Sequence, residues 1–150
     1  MLFEEQLETA IELALKLETL LASEYSSLKV QDISTFQNIQ STKTDLLLQL
    51  QLFDQHKKDF VEEHKVMGIP PEIEPLLTGD PQKNWIYLIE ILSRCQTQHR
   101  KTEIYLDQKI KTTHNVLEVL TVNNQDHTTK LYNESGKNTI KTLGNIIDEG

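Results

Sequence analysis

Residues 36–64 read FQNIQSTKTDLLLQLQLFDQHKKDFVEEH, and the spacing of their apolar and long-stemmed side chains decides the fold. These side chains recur in alternating steps of three and four, which places them along one face of a helix about four heptads long. A helix cannot bury such a face by itself, so the spacing predicts a second long helix beside it. The stripe consists of Phe36, Ile39, Lys43, Leu46, Leu50, Phe53, Lys57, Phe60 and His64.

Residues 2–30 are predicted to form that neighbouring helix, because their apolar side chains follow the same spacing and no glycine or proline interrupts it. Their stripe is wider than a two-helix seam, which is typical of a helix with two neighbours. The pattern breaks near Val30, and Asp32 or Ser34 is suited to cap the second helix. Such a short connection predicts an antiparallel hairpin over residues 2–65. The stripe comprises Phe3, Leu7, Ala10, Ala14, Leu17, Leu21, Glu24 and Leu28, widened by Ile11, Leu13, Leu20 and Tyr25.

Two charged residues, Glu24 and Lys43, fall on the apolar faces of this hairpin. The Lys43 stem leans back toward the turn and has to span about four residues, on the order of 6 Å, which a lysine can reach. We predict a contact between Glu24 and Lys43 that sets the register of the hairpin. The alternative is that each side chain extends to solvent without meeting the other.

Residues 66–81 contain all four prolines and two of the five glycines, so they predict a loop after the hairpin. We expect the apolar residues of this loop to fold back as a lid on the end of the bundle. A docking site for another protein is the alternative. The lid residues are Ile73, Leu76 and Leu77.

A third helix is predicted over residues 82–122, about 60 Å long, with Asp80 as its cap and Pro81 in its first turn. Its stripe is apolar in both outer thirds but small or polar between Cys95 and Thr102. We expect that middle to pack less tightly than the ends. The stripe consists of Trp85, Leu88, Leu92, Cys95, His99, Thr102, Leu106, Ile110, Thr113, Leu117 and Leu120.

Charge and composition exclude several classes of function. A net charge of −8 opposes attraction to phosphate backbones, so no nucleic-acid partner is predicted. No apolar run approaches the roughly 18 residues that a membrane span needs, so no stable membrane insertion is predicted. The acidic N-terminus lacks the pattern of a secretory signal, and a single cysteine fits a reducing compartment. These features predict a cytoplasmic protein with an all-α fold, an elongated antiparallel bundle of three long helices.

The residue pattern also predicts neither an enzyme nor a cofactor or metal site. The five histidines form no pair at metal-ligand spacing, and His99 on an inner stripe favours a buried core histidine. Cys95 has no neighbouring cysteine and is expected to act as a small core residue. The run Ser135–Thr139 is loosely like a phosphate loop, but Leu131 stands where the first glycine is needed.

The final 23 residues differ in character from the rest of the chain. A turn-rich stretch precedes a short apolar face, and a helix of about ten residues is marginal alone in water. The segment therefore either becomes ordered on binding a partner or docks as a fourth core helix. We predict a helical bundle domain over residues 1–127 and a flexible partner-binding segment over residues 128–150. The apolar face consists of Ile140, Leu143, Ile146 and Ile147.

Two stretches of this chain carry short motifs, one around the predicted hairpin turn from Glu24 to Leu47 and one from Leu131-Tyr132 to Gly136. In both, the chain resembles the FlgN-type flagellar export chaperones. Residues 22–54 resemble the family's N-terminal hairpin, with a glutamate before the turn and a lysine and a leucine pair after it. Residues 115–139 resemble the end of the family's long helix, followed by a linker and by Leu-Tyr with a glycine four residues after the tyrosine. The matching residues are Glu24, Asp32, Lys43, Leu46 and Leu47 in the first stretch and Leu131, Tyr132 and Gly136 in the second.

The resemblance implies a cytoplasmic chaperone that binds the C-terminal segments of flagellar hook-associated proteins and delivers them to the type III export gate. It also implies that the C-terminal region binds these substrates and that Tyr132 contacts the cytoplasmic domain of the gate. The alternative for Tyr132 is a turn tyrosine packed on the bundle. A second hypothesis for the whole chain is a structural coiled-coil adaptor that self-associates through its first helix. The residues expected to bind partners are Leu131, Tyr132, Gly136, Ile140, Leu143, Ile146 and Ile147.

Overall fold

The computed structural model describes residues 2–66 and 77–120, and within these ranges the chain forms three helices and no strand. Helix α1 spans Phe3–Lys29, α2 spans Ile33–Val66 and α3 spans Asp80–Val119. The predicted all-α class is therefore confirmed, and each helix lies where the periodicity of apolar residues places it.

The turn between α1 and α2 is held by Asp32, one of the two caps that the sequence offers. Its Oδ1 accepts a hydrogen bond from the backbone N–H of Thr35 at 3.1 Å, which satisfies a donor left unpaired at the start of α2. Its backbone oxygen accepts from the N–H of Phe36 at 3.1 Å. Gln31 has a φ of 59°, and this left-handed residue reverses the chain so that α2 runs antiparallel to α1.

The start of α3 differs from the prediction. The helix begins at Asp80 itself, and Gly79, not Asp80, is the residue at the cap position. Gly79 has a φ of 65°, a conformation that glycine adopts without steric penalty. Asp80 still favours the helix start, because its negative charge lies in the first turn beside the unpaired N–H groups.

Helix α1 is the central element and packs along both α2 and α3. The ring of Phe3 stacks on that of Phe60 in α2, with centroids 4.5 Å apart. On the α3 side, the Cys95 thiol donates to the backbone oxygen of Ala14 at 3.7 Å. The two neighbours explain the width of the α1 stripe. Its members Leu7, Ala10, Ala14, Leu17 and Leu21 have no exposed surface.

The middle of α3, where we expected looser packing, is buried as fully as the part of α3 that precedes it. Cys95, His99 and Thr102 are all 0% exposed. Small side chains let two helices approach closely when the facing residues are small as well, as Ala14 is opposite Cys95. The sequence shows that these side chains are small, but it does not show which residues of α1 face them.

Of the three residues predicted to form a lid, the structure describes Leu77, which packs on the end of the bundle as expected. Leu77 is 5% exposed and belongs to the core cluster at the end where α1 begins. It lies beside Phe3 and Phe60 around a small cavity of about 210 Å³. Ile73 and Leu76 lie outside the described residues.

Candidate partner-binding surface

A buried ion pair joins α1 to α2 at the predicted position. Lys43 Nζ lies 2.8 Å from Glu24 Oε2, and the two side chains are 2% and 0% exposed. The Gln40 amide donates to the same oxygen at 2.6 Å. Glu24 Oε1 is buried with no hydrogen-bond partner among the described residues. The contacts of Lys43 and Gln40 with Oε2 therefore provide the interactions that compensate this carboxylate for its lost hydration. The two side chains meet, as predicted, rather than extending to solvent.

Two titratable residues, Cys95 and His99, are buried in the α1–α3 interface. Burial raises the pKa of the Cys95 thiol to about 12, so the thiolate that would react is scarce at neutral pH. His99 Nε2 lies 3.9 Å from Glu103 Oε2, the next turn along the same helix. Within residues 2–66 and 77–120, no cluster of three His, Cys, Asp or Glu side chains is arranged to hold a metal ion.

The last third of α3 extends beyond its partner helix. Tyr25 packs edge-on against Tyr105, so α1 and α3 run parallel, and Lys29 at the end of α1 is level with about Lys109. The remaining ten or so residues continue for about 15 Å past the hairpin. The exposed apolar side chains there are Val116, Val119 and Leu120, at 53%, 83% and 62%.

This extension corrects the expectation for the stripe of the third helix. Its apolar spacing continues to Leu120, but the helix that covers it stops some ten residues earlier. The end of the stripe, not its middle, is therefore its more exposed part. All seven residues expected to bind partners lie outside the described residues: Leu131, Tyr132, Gly136, Ile140, Leu143, Ile146 and Ile147.

A second surface was not anticipated from the sequence. A groove on this surface is lined by Tyr25 of α1 and by Arg100, Lys101, Ile104 and Tyr105 of α3. We call it the tyrosine groove. The Lys101 ammonium lies 4.6 Å from the centre of the Tyr25 ring, and Ile104 is 59% exposed. The sequence of either helix alone gives no indication that these residues line a common groove. The parallel packing of two helices distant in sequence brings them together.

Comparison with known protein families decides the assignment. The family model described as FlgN protein matches residues 2–140, which include all three helices. This chain belongs to the FlgN family. Membership in FlgN implies the role of a flagellar export chaperone, a class of binding proteins in flagellum assembly. No curated protein and no solved structure matches this FlgN chain.

The FlgN match extends past the described part of α3 and includes four of the expected partner-binding residues, which are Leu131, Tyr132, Gly136 and Ile140. No described helix of this FlgN chain is both long enough and apolar enough to cross a bilayer. The second hypothesis was self-association through the apolar stripe of the first helix. The apolar stripe of α1 is already covered by α2 and α3 of the same chain.

Proposed function

We propose that this FlgN chain is a cytoplasmic type III export chaperone for flagellar hook-associated proteins. It binds their C-terminal segments, keeps them unassembled and delivers them to the cytoplasmic domain of the export gate. The observation that carries the proposal is the exposure of apolar side chains at the end of α3. Val116, Val119 and Leu120 are exposed there, in the stretch that leads directly into residues 128–150.

The chemistry of this region suits an amphipathic helical client. The exposed end of α3 offers apolar side chains on a preformed helix, which loses little entropy on binding. The segment beyond it carries Ile140, Leu143, Ile146 and Ile147 on one face if it becomes helical. Two such surfaces can enclose the apolar face of a client helix and prevent its premature assembly.

The test compares two double variants within the same segment. Ile140→Ser with Ile146→Ser removes half of the apolar face, whereas Lys137→Ser with Lys141→Ser alters polar positions nearby. We expect the first variant to lose at least about tenfold in affinity for the C-terminal peptide of a hook-associated protein, since two buried aliphatic side chains contribute more than 1.4 kcal/mol. The lysine variant should stay within about threefold of the wild type. Equal affinities for the two variants, measured by isothermal titration calorimetry, would overturn the client-binding role of this face.

Delivery to the gate is tested separately through Tyr132. We expect Tyr132→Ala to weaken binding to the cytoplasmic domain of the gate while leaving client affinity unchanged. Tyr87→Ala is the matched control, because Tyr87 is an exposed tyrosine near the start of α3. If Tyr132→Ala reduces both affinities together, Tyr132 is a structural residue and the proposed gate contact is wrong.

A further inference from the structure

The tyrosine groove is a concentrated positive surface on a chain whose net charge is −8. The groove encloses about 510 Å³ between α1 and α3, and no carboxylate is among its described lining residues. Lys29 and Lys101 both lie over the Tyr25 ring, at 5.2 and 4.6 Å from its centre. Neither lysine, nor Arg100, forms an ion pair within the described part of the chain. Their positive charge is therefore available to an acidic group that enters the groove.

The groove also has an apolar wall. Ile104 is 59% exposed beside the edge-on pair of Tyr25 and Tyr105, whose centroids are 5.7 Å apart at an angle of 73°. An occupant that fits must bring aliphatic side chains to this wall and carboxylates to the lysines. This combination of apolar and acidic residues within four positions occurs in the chain itself, at Ile146-Ile147-Asp148-Glu149.

We propose that residues 146–149 dock in the tyrosine groove of their own chain. Ile146 and Ile147 cover Ile104 and the tyrosine rings, and Asp148 and Glu149 lie beside Arg100 and Lys101. Charge-assisted contacts of this kind set the orientation of the segment, while burial of the isoleucines supplies most of the attraction.

The tether between the two sites has a suitable length. Ile104 lies sixteen residues before Leu120, or about 24 Å back along α3. The 25 residues from Leu120 to Asn145 have a root-mean-square span of about 25–30 Å when they follow coil statistics. The effective concentration of a tethered ligand is greatest when the span of the linker matches the distance to its site. Even a weak contact is then populated within one chain.

A client that binds Ile146 and Ile147 competes with the tyrosine groove for them. The segment therefore stays docked until a client displaces it. That consequence alone rests on the proposed function. The docking itself is a property of the unliganded chain, and its test contains no client. Failure of the docking and failure of client capture are therefore distinguishable.

The test uses the full chain with a nitroxide spin label at Asn145→Cys. The buried Cys95 thiol remains unlabelled because its raised pKa leaves little thiolate. We expect paramagnetic broadening of the backbone amide signals of residues 100–105 and not of residues 85–90, some 20 Å away along α3. The variant with Asp148→Lys and Glu149→Lys should lose at least half of this broadening. Adding Arg100→Glu and Lys101→Glu to that variant should restore it, since the charges are exchanged.

Three results would overturn the proposal. The first is the absence of broadening at residues 100–105 in the unliganded chain. The second is broadening confined to residues 110–120, which would place the segment on the uncovered end of α3. The third is equal broadening in a mixture where the spin label and the isotope label are on different chains, which would make the contact intermolecular.

Discussion

At the scale of single residues, the contact between Glu24 and Lys43 matters most, because it is a charged pair inside an apolar interface. Both side chains are removed from water, and their mutual attraction with the Gln40 bond compensates for that loss only while all members are present. The pair adds little net stability relative to well-packed apolar residues. It does penalise any slip of α2 along α1, because a slip would leave both charges buried and separated.

Lys43→Met tests this penalty. We expect the free energy of unfolding to fall by about 3–5 kcal/mol, because Glu24 remains buried without its counter-charge. Adding Glu24→Leu should recover most of the loss, since two apolar residues can pack where the two charges were. Chemical denaturation followed by circular dichroism measures both changes.

The control is a second ion pair between helices, Glu18 with Arg94. Arg94 is half exposed, and its guanidinium lowers the pKa of the Glu18 carboxyl mainly through a hydrogen bond. Arg94→Met should therefore cost much less than Lys43→Met, and the cost should be complete above the ordinary pKa of a glutamate. The cost should vanish as the pH falls through the lowered pKa of Glu18, where the carboxyl takes up its proton. Equal losses for Lys43→Met and Arg94→Met would contradict the register role.

Cys95 gives a second expectation at this scale. Its thiol has a pKa raised to about 12 from an ordinary 9.0 because burial disfavours the thiolate. We expect the native protein to react with a thiol reagent at pH 8 roughly a thousandfold more slowly than the unfolded chain. Fast labelling of the native protein would mean that the α1–α3 interface opens frequently.

At the scale of elements, α3 is one helix with two different environments. Its first part packs on α1 in a close interface, whereas most of its last ten residues are exposed. Stability of a helix in water comes mostly from burying its apolar face, so the end of α3 is held mainly by continuity with the rest. An uncovered helix end suits a surface that must bind partners.

Alanine variants of Leu92 and Leu117 test the difference between the buried first part of α3 and its exposed end, since both residues lie on the same stripe. Leu92→Ala should reduce the free energy of unfolding by about 2–5 kcal/mol, because Leu92 is 0% exposed. Leu117→Ala should change it by less than about 0.5 kcal/mol, as is usual away from the core. Similar losses at both positions would show that the end of α3 is covered in solution.

At the scale of the whole molecule, the core is organised around α1, and almost every buried apolar residue among those described lies on the three helices. Leu77 is the exception, and it closes the end where α1 begins. The described helices thus bury their apolar faces on one another. This arrangement supports a bundle that folds without residues 128–150.

Deletion of residues 128–150 tests that division. We expect cooperative unfolding to persist, with the free energy of unfolding within about 1 kcal/mol of the full chain, since a tail docked at an exposed groove adds little. Circular dichroism through a denaturant titration provides the measurement. Loss of cooperative unfolding would instead identify the tail as a fourth core helix.

The sequence determined the elements of this protein because helix geometry is local. The spacing of apolar residues from Phe36 to His64 predicted α2, and the break near Val30 predicted a cap at Asp32 or Ser34, of which the structure uses Asp32. The Glu24–Lys43 contact was also predictable, because a short turn fixes which residues of a hairpin face each other. The FlgN-type resemblance rested on the same local patterns.

Only the tertiary structure decided where α3 is covered and where it is not. The stripe of α3 continues unchanged to Leu120, but its exposure depends on the length of α1, a helix some eighty residues away in sequence. The tyrosine groove arose in the same way, from the parallel register of Tyr25 and Tyr105. Periodicity states which face of a helix needs a partner, whereas the lengths and order of the packed helices decide which part of that face obtains one.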